Sequence, residues 1–447
     1  MYRQNYFKRF FAPVDIASIA IFRIAFGLIL LWEVIRYFQY GWIREFFVDP
    51  QFHFSYYGFD WVKPLPGNGM IILFIILGIL ALCIALGFCY RFSVVLFFVG
   101  FTYLFLAEEA RWLNHFYLVI LLSFLLIFIP AHRAYSIDAW LRPSTRLRTV
   151  PALALWVLRA QLGLVYFFGA IAKLNPDWLH GQPMQMWLAT HADFPVIGPL
   201  FTQSWTGLFF SYGGLLFDLL FVPFILWRRT RLFALVVALF FHLMNSQLFD
   251  IGIFPWLMIA ALVLFLPPTW PRRVIERLWP TTLTEPSAQY DFMPNRRYVI
   301  AAVALYFGVQ LVIPLRHYLY PGDVNWTQQG DRFSWRMKLL DLQGDATFIV
   351  TDPAQQDIWE VNPSDYLADW QIHEMIQRPD MTLQFSHYLA DVFRQQGHTQ
   401  IEVRAQVMVS LNGRPPQLMI DPDIDLAAQS RTLTATPWLL PNTSVEN

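Results

Sequence analysis

The chain has 447 residues, 56% of them hydrophobic and 14% charged, and its mean hydropathy is +0.41. Soluble domains carry about 25% charged and roughly 45–50% apolar residues, so this composition argues against a soluble globule. The 32 basic residues balance 32 acidic ones, which leaves no electrostatic footprint for nucleic acid.

Apolar runs long enough to cross a bilayer, about 17–25 residues, lie near 16–38, 70–89, 92–108, 114–130, 151–172, 206–227, 232–249, 252–268 and 298–316. The N-terminus is basic and has no small-residue cleavage site, so it is expected to be retained as a first helix. Loop charge supports nine spans. Arg133, Arg142, Arg146 and Arg148 follow span four, Arg228, Arg229 and Arg231 follow span six, and Arg272, Arg273, Arg277, Arg296 and Arg297 follow span eight. By contrast, 174–204 has no Lys or Arg, and 39–68 has only Arg44 and Lys63. The positive-inside rule then predicts a cytoplasmic N-terminus and an outer C-terminal region. Short helices beside Arg91 and Asp250 could instead be re-entrant. The 42 Phe and 18 Trp suit packing against lipid, with Trp at the interfaces, and would also suit an aromatic ligand. Cys83 and Cys89 lie in an apolar stretch and offer no metal set or disulfide framework, so both are expected to be buried hydrophobes.

From 319 onward alternating patterns such as ATFIV and IEVRAQVMVSL predict strands in a water-exposed unit. Asn362-Pro363 can cap a helix through 371–376, Pro379 can open another that runs to Gln396, and Asn412-Gly413 marks a hairpin turn. The fold expected is a polytopic α-helical membrane protein of about nine transmembrane helices (1–318) with a C-terminal extramembrane α+β domain rich in β-strand (319–447). The Asn442-Thr443-Ser444 sequon is uninformative without a glycosylation pathway.

An ionisable residue inside a membrane is a functional candidate by default. Lys173 ends the apolar run LGLVYFFGAIA and precedes LNPDW, where Pro176 ends the helix. By position it is either a snorkelling lysine, or one paired with Asp177, or a desolvated base. Asn114 and His115 open span four at the same outer face, as a helix cap and an interfacial histidine or as partners of Lys173. His242, with Asn245 and Gln247, forms a polar cluster near the outer end of span seven that interhelical hydrogen bonding could equally explain. Glu108, Glu109 and Arg111 read as a solvated turn. No Walker loop, GxGxxG, HExxH or GxSxG occurs.

Five segments, RWLNHFYL (111–118), GAIAKLNPDWLHGQPM (169–184), FHLMNSQLFDIGIF (241–254), NWTQQGDRFSW (325–335) and VSLNGRPPQLMIDPDIDLA (409–427), together resemble the vitamin K-dependent gamma-glutamyl carboxylases and their bacterial HTTM-domain relatives. The resemblance spans nearly the whole chain. It implies addition of CO2 to the gamma carbon of a protein glutamate, driven by O2 oxidation of vitamin K hydroquinone (menaquinol or phylloquinol). A gamma C–H is weaker as an acid than any side-chain base can deprotonate, by a gap on the order of ten pKa units. The family's solution is a lysine that deprotonates the quinol, whose reaction with O2 yields the strong base. Lys173 matches that lysine. By the same matching Asn114 and His115 hold CO2 or stabilise developing charge, Phe254 and Met337 line the quinol pocket, and Trp326, Ser334 and Trp335 lie where substrate glutamate enters; Asn245 and Gln247 are expected to join Phe254 and Met337 in binding the cofactor.

The animal enzymes place an arginine near the substrate carboxylate where this chain has Ala189, and Arg332 or Arg336 could replace it. Their propeptide-binding luminal region is larger, and their inter-domain disulfide has no counterpart, since no Cys lies outside the spans here. The partners expected are an exported glutamate-bearing protein or peptide and membrane lipid, and the lack of extra domains suggests a bacterial inner membrane. Two other readings remain open: a quinol- and O2-dependent oxidoreductase with a different acceptor, and a non-catalytic scaffold or transporter. Internally repeated halves, which would favour a transporter, are not evident.

Overall fold

A computed structural model describes residues 9–278 and 295–443. Helices occupy each expected apolar run: α1 (Ala17–Gln39), α2 (Gly69–Leu86), α3 (Tyr90–Leu106), α4 (Asn114–Phe128), α5 (Ala152–Ala172), α6 (Ser204–Leu226), α7 (Arg231–Leu248), α8 (Phe254–Phe265), α9 (Trp270–Leu278) and α10 (Arg296–Val312). Six helical segments are long and apolar enough to cross a membrane, namely α1, α2, α5, α6, α7 and Arg296–Leu319, and α8 with α9, bent by 93°, makes a possible seventh. The protein is therefore an integral membrane protein with six or seven such segments among the described residues, fewer than the nine expected. The shortfall is one of length. The 17 residues of α3 and 15 of α4 rise about 1.5 Å each, less than the roughly 30 Å of a hydrocarbon core.

Side chains left bare on these helices, including Ile72, Ile79, Phe92, Val99, Phe209, Leu232, Phe233, Phe240 and Leu305, are apolar, as a lipid-facing surface requires. Helix α1 is central and packs on α2 and α8. A Cβ added at Gly27 would stand 2.5 Å from the Ala85 backbone nitrogen, so the glycine sets the close approach of α1 to α2. Arg23 on α1 is buried, and its Nη1 and Nη2 donate to the carbonyls of Ala85, Ala131 and Tyr135. A ribbon of β1 (Pro13–Asp15) and β2 (Thr149–Pro151) ties the start of α1 to the start of α5. The cysteine expectation needs correcting. Both thiols are free, but Cys83 is half-buried and Cys89 is exposed, because Cys89 occupies the tight turn between α2 and α3 at φ 44°.

The C-terminal region is α+β. Strands β3 (Leu342–Asp352), β4 (Asp357–Val361), β5 (Glu402–Leu411) and β6 (Gln417–Leu418) form an antiparallel sheet in the order β4-β3-β5-β6. Val403, Ala405, Val407 and Val409 alternate into a core shared with Phe348, Val350, Phe385 and Leu389. Asn412 and Gly413 both take positive φ, 53° and 74°, as a tight turn demands. Pro379 opens helix α12 (Pro379–Gln395) as expected, but Asn362-Pro363 caps only a short turn, Pro363–Asp365. The helix expected there begins later, as α11 (Asp369–Ile376), because Tyr366 leaves helical geometry.

Candidate functional site

Lys173 caps the C-terminus of α5, and Pro176 opens the next turn with Asn175 as its cap. The helix thus ends where Pro176 predicts, and the lysine is left at its last turn facing inward. Its Nζ donates to Asp218 Oδ2 on α6 at 2.7 Å and to the Gly169 carbonyl at 3.3 Å, and lies 5.4 Å from the Trp178 ring. Both side chains are only 10% exposed. Gly214 leaves room for the approach, since a Cβ there would already touch Lys173 Cε at 3.7 Å. The partner expected from sequence, Asp177, is used elsewhere. It accepts from Arg414 and from Asn412 Nδ2, both beside the β5–β6 turn, so the C-terminal domain grips the segment that follows Lys173.

His115 is buried, and its Nε2 has no hydrogen-bond partner. It faces Gly252, which has φ +56°; a Cβ there would stand 3.2 Å from His115 Nε2 and 3.7 Å from Arg36 Nη1. Arg36 pairs with Glu33 at 2.7 Å and lies over the rings of Trp32 and Trp42, while Arg111 lies 3.7 Å from the Phe46 ring centroid. Asn114 is half-buried and is the first helical residue of α4; the cap position is Leu113, and no side chain caps this helix. No hydrogen bond joins Lys173 to His115 among the described residues.

His242 Nε2 meets the Tyr166 hydroxyl at 2.9 Å, its Nδ1 has no partner, and Phe254 lies edge-on 6.3 Å away. Met337 is half-buried and packs, with Phe254, on the membrane-domain core. Asn245 is half-buried. Gln247 is exposed and reaches only Ser246, so it turns away from this interior.

The segment 325–336 joins the two domains. Trp335 is fully buried in the membrane-domain core, stacked on Tyr117 at 5.0 Å, with an indole nitrogen that has no partner. Trp326 instead belongs to the C-terminal domain's core and donates to the Leu440 carbonyl at 2.8 Å. Ser334 Oγ donates to Gly330. Arg332 bridges Glu109 and Asp380, and Arg336 pairs with Asp331 at 3.2 Å. Both arginines therefore already hold carboxylates of the chain.

Glu108 and Glu109 are not a solvated turn. They are 1% and 3% exposed, and the C-terminal domain covers them. Glu108 accepts from His53, the Phe54 and Ala110 amides and Gln371, and Glu109 accepts from Arg332 and Gln384. Burial, opposed by Arg332, pushes the Glu109 carboxyl up to about 7. Although burial works against its charge, the Glu109 and Asp380 carboxylates hold the Arg332 guanidinium above its ordinary value.

Sequence reasoning missed Asp218, Tyr166, Glu33 and Arg36. A signal existed for Asp218, the lone carboxylate inside the apolar run 206–227, to which the rule used for Lys173 applies equally. For Tyr166 nothing in the sequence distinguishes it from the surrounding aromatics.

The architecture is that of a helical membrane domain with a buried lysine–aspartate pair at one end, which a small C-terminal α+β domain covers. Residues 11–270 match the HTTM domain family, and residues 295–445 match the lumenal domain of vitamin K-dependent gamma-carboxylase. The chain belongs to the vitamin K-dependent gamma-carboxylase family. No solved structure matches it.

Proposed function

We propose that the protein carries out vitamin K-dependent gamma-carboxylation of glutamate in exported polypeptides, with Lys173 as the catalytic base. The observation that carries this reading is the Lys173–Asp218 pair, buried at the end of α5 in a chain of this family. A buried ion pair is weak evidence for stability and more often marks function when it lies within a membrane.

The residues present fit reduced vitamin K. The partnerless Nε2 of His115, Nδ1 of His242 and indole nitrogen of Trp335 lie among aromatic and apolar walls that include Phe254 and Met337. When bound, the quinol supplies a dissociable phenolic proton and, on oxidation by O2, the reducing equivalents that generate a base strong enough for the gamma C–H. To accept the phenolic proton, Lys173 would first give up one of its own, and Asp218 Oδ2, to which its Nζ donates, is the carboxylate in contact to take it. His115 and Asn114, at the start of α4, orient CO2 or steady developing charge, and the roof formed by 325–336 and the outer domain excludes water from the reacting groups. Trp335 and Ser334 line the entry for glutamate. Because Arg332 and Arg336 hold internal carboxylates and Arg36 pairs with Glu33, Arg111, near His115, is the cation this reading assigns to the substrate carboxylate.

The same reading has α3, α4 and α8 complete nine crossings of a bacterial inner membrane, N-terminus in the cytoplasm and outer domain in the periplasm. The alternation of basic loops supports it.

The test supplies purified protein with reduced vitamin K, O2, radiolabelled bicarbonate and a short glutamate peptide. Wild type should fix label and Lys173→Ala should not. Quinol oxidation by wild type without fixed label would instead favour an oxidoreductase with another acceptor, and no turnover of either would point to a non-catalytic protein.

A further inference from the structure

A cleft of about 220 Å³ opens between β3 and α11, lined by Leu342, Gly344, Asp369, Ile372, His373 and Ile376. Its floor is an unusual stretch of strand. Strand β3 pairs with β5 from Leu342 to Thr351, but β4 covers its other edge only from Phe348 to Asp352. The backbone of 343–347 therefore has a free edge, and among the described residues no side chain or loop hydrogen-bonds to it. Gln343, Gly344 and Asp345 are exposed. An edge strand left open beside a helix presents a row of backbone donors and acceptors to a further strand, and side-chain pockets in such a groove select the occupant's alternate residues.

Both walls of the cleft begin at the candidate site. Next to Leu342, Asp341 accepts from Trp187 Nε1 and donates its amide to Asn412, whose side chain in turn donates to Asp177 beside Lys173. Leu339 packs in one cluster with Ala172 and Trp178. On the other wall, Trp370 follows Asp369, packs edge-on against Phe46 at 5.1 Å, and lies 5.9 Å from the Arg111 guanidinium. The strand wall is thus tied to the segment that follows Lys173, and the helix wall packs beside Arg111 of the turn that leads to His115.

We propose that the free edge of β3 receives an extended segment of the glutamate-bearing polypeptide by strand addition, with α11 as the opposite wall, and that this delivers the segment to the outer face of the membrane domain. The five residues 343–347 present roughly 17 Å of strand, at about 3.3 Å per residue. Gly344 keeps that surface low: it has no side chain, and a Cβ there would meet the Met408 carbonyl at 2.1 Å and Ile376 Cγ2 at 3.1 Å. His373 and Asp369 at the rim face the occupant's side chains, and Leu342, Ile372 and Ile376 accept an apolar one. This inference rests on the preceding reading only for the identity of the polypeptide.

The test uses the full chain in detergent micelles and a synthetic acidic peptide of alternating Val and Glu. Amide hydrogen exchange at 343–347 should slow on adding peptide. Methylating alternate backbone nitrogens of the peptide should abolish the effect in one register and spare it in the other. His373→Trp, which fills the exposed rim without touching the core, should weaken binding about tenfold with an unchanged melting temperature. Unchanged exchange at saturating peptide, equal affinity in His373→Trp, or protection that rises with protein concentration when no peptide is present would overturn the proposal, the last by assigning the edge to a second copy. Label fixed into a peptide that leaves 343–347 unprotected defeats strand addition alone, whereas protection without fixed label upholds it and defeats the carboxylase reading alone.

Discussion

Replacing Asp218 by Ala removes the carboxylate at 2.7 Å from Lys173 Nζ and leaves the Gly169 carbonyl, 3.3 Å away, as its remaining acceptor. Both members of the pair are about nine-tenths shielded, so water does little to compensate. Breaking a buried pair by deleting one partner costs about 3–5 kcal/mol, whereas replacing both with apolar side chains is neutral or gains about 1–4 kcal/mol. At roughly 1 °C per kcal/mol for a chain of this length, the melting temperature of Asp218→Ala should fall by about 3–5 °C. The double variant Lys173→Met with Asp218→Leu should recover most of that loss. Neither variant should fix labelled CO2. Melting followed by a thiol-reactive dye, with Cys89 as an exposed background, would be read alongside label incorporation. Independent, additive shifts of the two single substitutions would refute the coupling, and full activity in Asp218→Ala would remove it from the proton path.

The Glu109 carboxyl, moved by burial from the usual 4.5 to about 7, binds a proton in the folded state that the unfolded chain has already released between those values. Stability should therefore be greatest below that window and fall as pH rises through it, at up to about 1.4 kcal/mol per pH unit; Glu109→Gln should flatten the slope of melting temperature against pH. Gly252→Ala forces a side chain into left-handed geometry at a cost of roughly 1–2 kcal/mol and pushes on His115, so label fixation should fall well beyond any change in melting. Gly213→Ala, inside α6 where an added Cβ meets nothing within 4 Å, controls for the added methyl alone and should leave label fixation unchanged without lowering the melting temperature.

What the sequence made legible follows the reach of each signal. Apolar length located each membrane-domain helix, because hydrophobicity is a one-dimensional property of a run. It did not fix how many are long enough to cross, since α8 stops at Phe265 and turns through 93° into the amphipathic α9. Period-two alternation found β3 and β5 for the same reason. The candidate site was only half visible. Lys173 stood out as a charge beside an apolar run, yet its partner lies 45 positions away on α6, and the nearer Asp177 proved to belong to Arg414. Glu108 and Glu109 looked like solvated turn residues because nothing local records that Gln371, Gln384 and Arg332 will cover them. Burial of a polar turn is a property of what packs onto it.

The grip of Arg414 and Asn412 on Asp177 also fixes an order of events during synthesis. The helix that ends at Lys173 is translated more than two hundred residues before the hairpin that clasps its following turn. Throughout that interval a nascent chain has its lysine but lacks the clamp that steadies the next segment. A chain cut before residue 412 therefore keeps the lysine and loses both contacts that the hairpin makes to Asp177.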